Sequence, residues 1–115
     1  MTRDPRAYLA DVIEAGIAIQ DAVATISFDD YCSSRLICSS VEREFMIIGE
    51  ALKQLSQRNP KLFASIGKGP EIIGFRNKLT HEYITINNQL VWGVIQSELP
   101  DLIERCQTLL QLLDT

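Results

Sequence analysis

A chain of 115 residues that is 46% hydrophobic and 23% charged has the composition of one ordinary globular domain. Apolar residues run throughout, which excludes general disorder, and no apolar run approaches the roughly 18 residues that a membrane helix needs. Fifteen acidic against eleven basic residues give a net charge of −4, which argues against a protein that coats nucleic acid nonspecifically, because that needs clustered Lys and Arg. A small local basic site remains compatible with that balance.

Asp4-Pro5 is a helix start, with a capping acid followed by proline at the first helical position. Leu9, Val12, Ile13, Ile17, Gln20 and Val23/Ala24 then recur at spacings of three and four, which predicts one amphipathic helix to about residue 25. Ser27-Phe28-Asp29-Asp30 interrupts it as a turn or short helix. A long helix is expected from about Ser33 to Arg58, with Leu36/Ile37, Val41, Phe45, Ile48, Ala51/Leu52 and Leu55 inward and Glu42, Arg43, Lys53, Gln54 and Gln57 largely outward. Asn59-Pro60 stops it and caps a short helix, Lys61 to Ile66. Gly67-Lys68-Gly69-Pro70 is the clearest loop. Pro70 opens a helix from Glu71 to about Tyr83. Asn87 or Asn88 caps the last helix, Gln89 to Leu113, in which Pro100 is expected to cause a kink or break near Glu98. Ile84-Thr85-Ile86 is the only hint of a strand and is too short to matter. The expected fold is a single all-α domain over residues 1–115, an up-and-down helical bundle of four to five main helices.

The three cysteines, Cys32, Cys38 and Cys106, lack CxxC spacing, so neither a zinc centre nor a disulfide framework is expected. They read as small buried hydrophobes. No cofactor is expected either. Met1 to Arg6 followed by Asp11 and Glu14 does not read as a secretory signal, and the expected address is cytoplasmic.

Arg76-Asn77-Lys78-Leu79-Thr80-His81-Glu82-Tyr83 holds the chain's one histidine. At roughly 100° per residue, Asn77 and His81 share one stripe, and Arg76, Thr80 and Tyr83 form the stripe beside it. An arginine fork suits phosphate, and imidazole is the side chain that both takes and gives a proton near neutrality. Together they suit RNA cleavage without a metal: His81 assists attack of a 2′-hydroxyl on the neighbouring phosphate and Arg76 stabilises the phosphorane. DNA, which lacks that hydroxyl, is left intact. Taken alone, the same residues also read as surface groups, with His81 a cation near a helix C-terminus.

The order of segments narrows this. Arg76 and His81 in RxxxxH spacing, and Arg76-Asn77 with His81-Glu82-Tyr83, resemble the RNxxxHxY segment of HepT-like proteins, toxins of the HEPN ribonuclease superfamily. Val41 to Leu52, centred on Ile48-Gly49-Glu50-Ala51, is similar to that family's second-helix segment. Ile72-Ile73-Gly74-Phe75 resembles its lead-in, and Asn88 to Pro100 its last helix. The resemblance covers about residues 33 to 105. It implies a homodimeric, all-helical HEPN domain whose two RxxxxH segments form a composite RNA-cleaving cleft. It also implies a toxin paired with an MntA-type nucleotidyltransferase antitoxin, which transfers AMP onto the tyrosine of HxY. Arg76 and His81 would then be catalytic, Asn77 supporting and Tyr83 modified. AMP there would block the cleft and repel phosphates. Glu82 departs from the Gly or smaller residue of many relatives, and an acid beside the imidazole favours its protonated form.

Other residues are read beside this. Glu50 by itself is a solvated or boundary glutamate, to which the resemblance adds a partner such as Arg76 or Asn77. Thr80 and Lys78 are possible supporting residues, and Lys78 with Arg76 and nearby Lys68 is the expected basic patch. Gly49 and Gly74 read as sites of close helix approach, since glycine inside a helix otherwise costs roughly 1 kcal/mol against alanine. Trp92 reads as core or dimer interface, and Leu109 to Leu113 as cover for a neighbouring helix or a second subunit. The competing function is a helical module that docks to a nucleotidyltransferase without cutting RNA.

Overall fold

The computed structural model describes residues 3–81 and 86–114, with the side chains of Thr80 and His81 outside the description. Among the described residues there are six helices and no strand: α1 (Pro5–Val23), α2 (Phe28–Ser33), α3 (Arg35–Arg58), α4 (Pro60–Ala64), α5 (Gly69–His81) and α6 (Asn88–Asp114). The all-α bundle expected from periodicity is what the chain forms.

The helix starts are set by side chains that satisfy otherwise unpaired backbone N–H groups. Asp4 accepts from the Arg6 amide at 2.9 Å, ahead of Pro5. Ser27 and Asp30 exchange bonds in a capping box, which makes α2 a helix rather than a turn. Ser34 accepts from the Ile37 amide at 3.2 Å, and Asn59 from the Leu62 amide at 3.2 Å. Of the two asparagines at the start of α6, Asn87 is the cap, its Oδ1 accepting from the Gln89 and Leu90 amides. Gly67 makes the turn into α5 at φ +86°, the left-handed region that favours glycine.

α6 runs unbroken through Pro100, so the expected break does not occur. Pro100 is exposed, and so is Gln96, whose carbonyl would have taken the missing amide; water can serve it instead.

α3 is the centre of the bundle. α1 and α5 pack along it, α2 and α4 flank its ends, and α6 closes against α1. The core is wholly apolar among the described residues, with Leu9, Val12, Ile19, Val41, Phe45, Ile48, Leu52, Leu55 and Leu99 at its heart. Each such side chain contributes about 1.5–3 kcal/mol through removal from water. Phe45 of α3 meets Phe75 of α5 edge to face at 5.0 Å, which fixes how α5 lies on α3. Trp92 packs against Phe28 and Tyr31 at 5.8 and 5.4 Å and so ties α2 to α6. Leu109 and Leu110 pack on the core, while Leu112 and Leu113 stay exposed.

Candidate active site

Phe75 points into the core, so the next residue, Arg76, leaves the α3–α5 crossing at its edge. Its stem crosses Gly49: a Cβ at Gly49 would stand 2.3 Å from both Cβ and Cγ of Arg76. Glycine is therefore what allows α5 this close, as the sequence suggested. Gly74 is different. A Cβ there would meet nothing within 4 Å, so it does not serve close packing as expected; it faces outward, away from α3.

From that crossing the Arg76 guanidinium is held on two sides. One Nη donates to Glu50 Oε2 at 3.1 Å and the other to Asn77 Oδ1 at 3.0 Å. Gln54 donates to the second Glu50 oxygen at 3.1 Å, and Arg58 Nε donates to Gln54 at 3.3 Å. The five residues form a chain of polar contacts that runs along α3 and across to α5. The Arg76 side chain is 20% exposed and that of Glu50 48%, so the fork is largely screened while its carboxylate partner faces solvent. Glu50 is thus more than a boundary glutamate: it is the ion-pair partner of Arg76 across 26 positions of sequence.

Arg76 and Glu50 form one end of an open groove of about 420 Å³ between α1 and α3. Met46, Ile47, Ala51 and Tyr8 supply its apolar floor, and Arg3, Asp11 and Arg43 its charged rim. Arg3 is paired with Asp11 at 2.9 Å and lies over the Tyr8 ring at 4.8 Å. Sequence reading placed Arg43 on the solvated side of α3 and missed this groove. The signal it left is the spacing of Arg43, Ile47, Glu50 and Gln54 by four, three and four.

Of the site residues read from sequence, Arg76, Asn77 and Glu50 come together. Lys78 does not join them: with Lys68 it lines a second groove of about 390 Å³ between α5 and α6, where Glu71 and Glu98 accompany them. Thr80 and His81 continue α5 beyond Arg76, and only their helical backbone is described. The readings on Glu82 and Tyr83, and the strand hint at Ile84-Thr85, lie outside the described residues. His81 falls five positions after Arg76 on the same helix.

This arrangement has relatives. Residues 12–109 match the family described as Ribonuclease HepT-like. The chain is 31% identical over 109 residues to a protein of Caldanaerobacter subterraneus subsp. tengcongensis named as a candidate RNase, covering 95% of this chain and 96% of that protein. It is 28% identical to a similarly named protein of Methanocaldococcus jannaschii, over 85% of this chain and 89% of the other. A Thermococcus cleftensis protein named as a candidate ribonuclease HepT is 29% identical, over 89% and 92% of the two chains. No solved structure gives a significant match. The matched region holds the whole Gly49–Glu50–Arg76–Asn77 assembly and the RxxxxH segment, and the chain belongs to the HepT-like ribonuclease family.

Proposed function

We propose that the protein is a metal-independent endoribonuclease, the toxin of a toxin–antitoxin pair, which works as a homodimer. The observation that carries this reading is the Arg76 guanidinium, fixed by Glu50 and Asn77 at a groove edge on the helix that bears His81. In the reaction, His81 takes the proton from a ribose 2′-hydroxyl as its oxygen bonds to the adjacent phosphorus. The P–O5′ bond breaks, and the leaving oxygen receives a proton from imidazolium, supplied by the second subunit's site or by the same group in turn. Arg76 stabilises the charge on the pentacoordinate phosphorus, and the products carry a 2′,3′-cyclic phosphate and a 5′-hydroxyl. Asn77 orients the guanidinium. A cognate MntA-type nucleotidyltransferase silences the enzyme by transferring AMP from ATP to the Tyr83 hydroxyl, with release of pyrophosphate. The bulk and charge added two residues from His81 then oppose RNA entry.

The test is cleavage of an RNA by the purified chain with and without a chelator. A matched RNA with a 2′-deoxy residue at the cut site and the Arg76→Ala and His81→Ala variants serve as controls. The reading expects chelator-insensitive cleavage, protection by the deoxy residue and inactivity of both folded variants. Cleavage retained by His81→Ala would overturn the chemistry. The regulatory half is read by intact mass and peptide mapping after co-expression with an MntA-type nucleotidyltransferase. AMP-sized additions on Tyr83 are expected, and an unmodified chain beside an active partner would leave only the docking-module function.

A further inference from the structure

The outer face of α3 carries a seam that takes no part in the apolar core. Leu36, Ser40, Arg43, Ile47, Glu50 and Gln54 follow one another at spacings of four and three, the repeat by which two helices pair along their length. Leu36 is 80% exposed, Met46 40% and Ile47 36%. In the groove beside this seam, Arg3 is matched by Asp11 and Arg76 by Glu50. Arg43 makes no ion pair among the described residues, so it is the one charge of the rim left over.

We infer that this face is covered by α3 of a second copy of the chain, running antiparallel about a two-fold axis between Met46 and Ile47. The inference rests on the homodimer reading above and specifies its interface. In that register, residues whose numbers are mirrored about the axis oppose each other. Arg43 faces Glu50 of the partner subunit, and Glu50 faces the partner's Arg43, so one self-complementary arrangement satisfies both charges twice. Met46 meets the partner's Ile47 on either side of the axis, and Ser40 opposes the partner's Lys53. Glu50 has acceptor capacity for this third donor, since each of its oxygens has two lone pairs and takes one bond within the subunit. The carboxylate then bridges Arg76 of its own chain and the partner's Arg43. With 1.5 Å of rise per residue, the two Glu50 positions lie about 10 Å apart along the axis direction, which brings both Arg76 forks to one region of the dimer. A second copy fits this surface better than RNA does, because a phosphate chain laid on it would meet Glu50 and an apolar centre.

Sedimentation equilibrium of the full chain tests the register through two reciprocal variants, Arg43→Glu and Glu50→Arg. Each variant alone sets like charges against each other at two places, and self-association should weaken by about tenfold or more. Mixed one to one they should form a heterodimer, because both contacts across the interface between positions 43 and 50 are then between opposite charges again. Ile47→Asp should be monomeric, with circular dichroism confirming that each variant folds. A wild-type dimer that all three variants leave intact would overturn the interface while leaving the dimer reading standing. A wild-type chain that stays monomeric at the highest concentration would remove both. Intact dimers with RNA binding lost in Arg43→Glu would assign the face to RNA and overturn the proposal.

Discussion

Gly49 and Arg76 are in contact where α3 and α5 cross, the arginine stem lying over the glycine so closely that a Cβ would stand 2.3 Å from its Cβ and Cγ. The atoms in the way belong to the root of the side chain, not to its flexible end. Gly49→Ala must therefore move α5 or tilt Arg76 out of reach of Glu50. A loss of about 1–3 kcal/mol is expected from such overpacking, with a fall in RNA cleavage beyond what the loss of folded protein explains. Gly74→Ala and Gly93→Ala provide the contrast, since an added Cβ at either meets nothing within 4 Å. Each should raise stability by about 1 kcal/mol through helix propensity. Urea unfolding of the three variants reads the difference in sign.

The helices were legible because their signals are local. Asp4-Pro5, Asn59-Pro60 and the spacing of Val41, Phe45, Ile48, Leu52 and Leu55 each act within a turn or two, and the caps and the core formed on those residues. What was not legible depended on how two helices cross. Arg76 and Glu50 are 26 positions apart, and only the α3–α5 approach over Gly49 makes them partners. The resemblance had suggested the pairing; the chain's own periodicity could not. Glycine in a helix signals either close approach or mere tolerance, which is why Gly49 was read correctly and Gly74 was not. Arg43 looked like an ordinary solvated residue, because a groove between α1 and α3 leaves no mark on the pattern of α3 alone.

Burial divides the three thiols. Cys106 is fully buried and its thiol is pushed up to about 12, because no water reaches it to stabilise a thiolate. Cys38 is partly buried, raised by the same desolvation, and its Sγ donates to the Tyr31 carbonyl at 3.2 Å; Cys32 is exposed. A thiol reagent on the native protein at neutral pH should label Cys32 first, Cys38 slowly, and Cys106 only on unfolding. Peptide mass mapping over time checks the order. Early labelling of Cys106 would mean that α6 opens locally at a cost well below global unfolding.

Glu42, at the inner margin of α3, has its carboxyl raised above the usual carboxylate range by desolvation. A carboxylate with a raised folded pKa opposes folding where it is ionised and ceases to do so as it protonates. Glu42→Gln should therefore be slightly more stable than the wild type at pH 7. That advantage should shrink as pH falls through the folded pKa toward the unfolded value, and it should not return below both. Parallel thermal unfolding curves from neutral to mildly acid pH would show the gap closing. A gap that widened on acidification would mean that ionised Glu42 has a stabilising partner.

In the mechanism proposed above Glu50 would act through Arg76, its ion-pair partner, so its effect should depend on Arg76 being present. The pair is half exposed on the carboxylate side, so its orienting value is set at about 1 kcal/mol, well below that of a buried charge-assisted bond. Glu50→Ala should then lower kcat about fivefold, with KM little changed, because the guanidinium is still present but no longer fixed for the phosphorane. In an Arg76→Ala background the same substitution should cost nothing further, since there is no fork left to orient. The double-mutant cycle, run at concentrations where sedimentation shows every variant in the same assembly state, isolates that coupling. Additive losses would show that Glu50 contributes independently of Arg76. An unchanged kcat for Glu50→Ala would show that Asn77 alone suffices to hold the guanidinium.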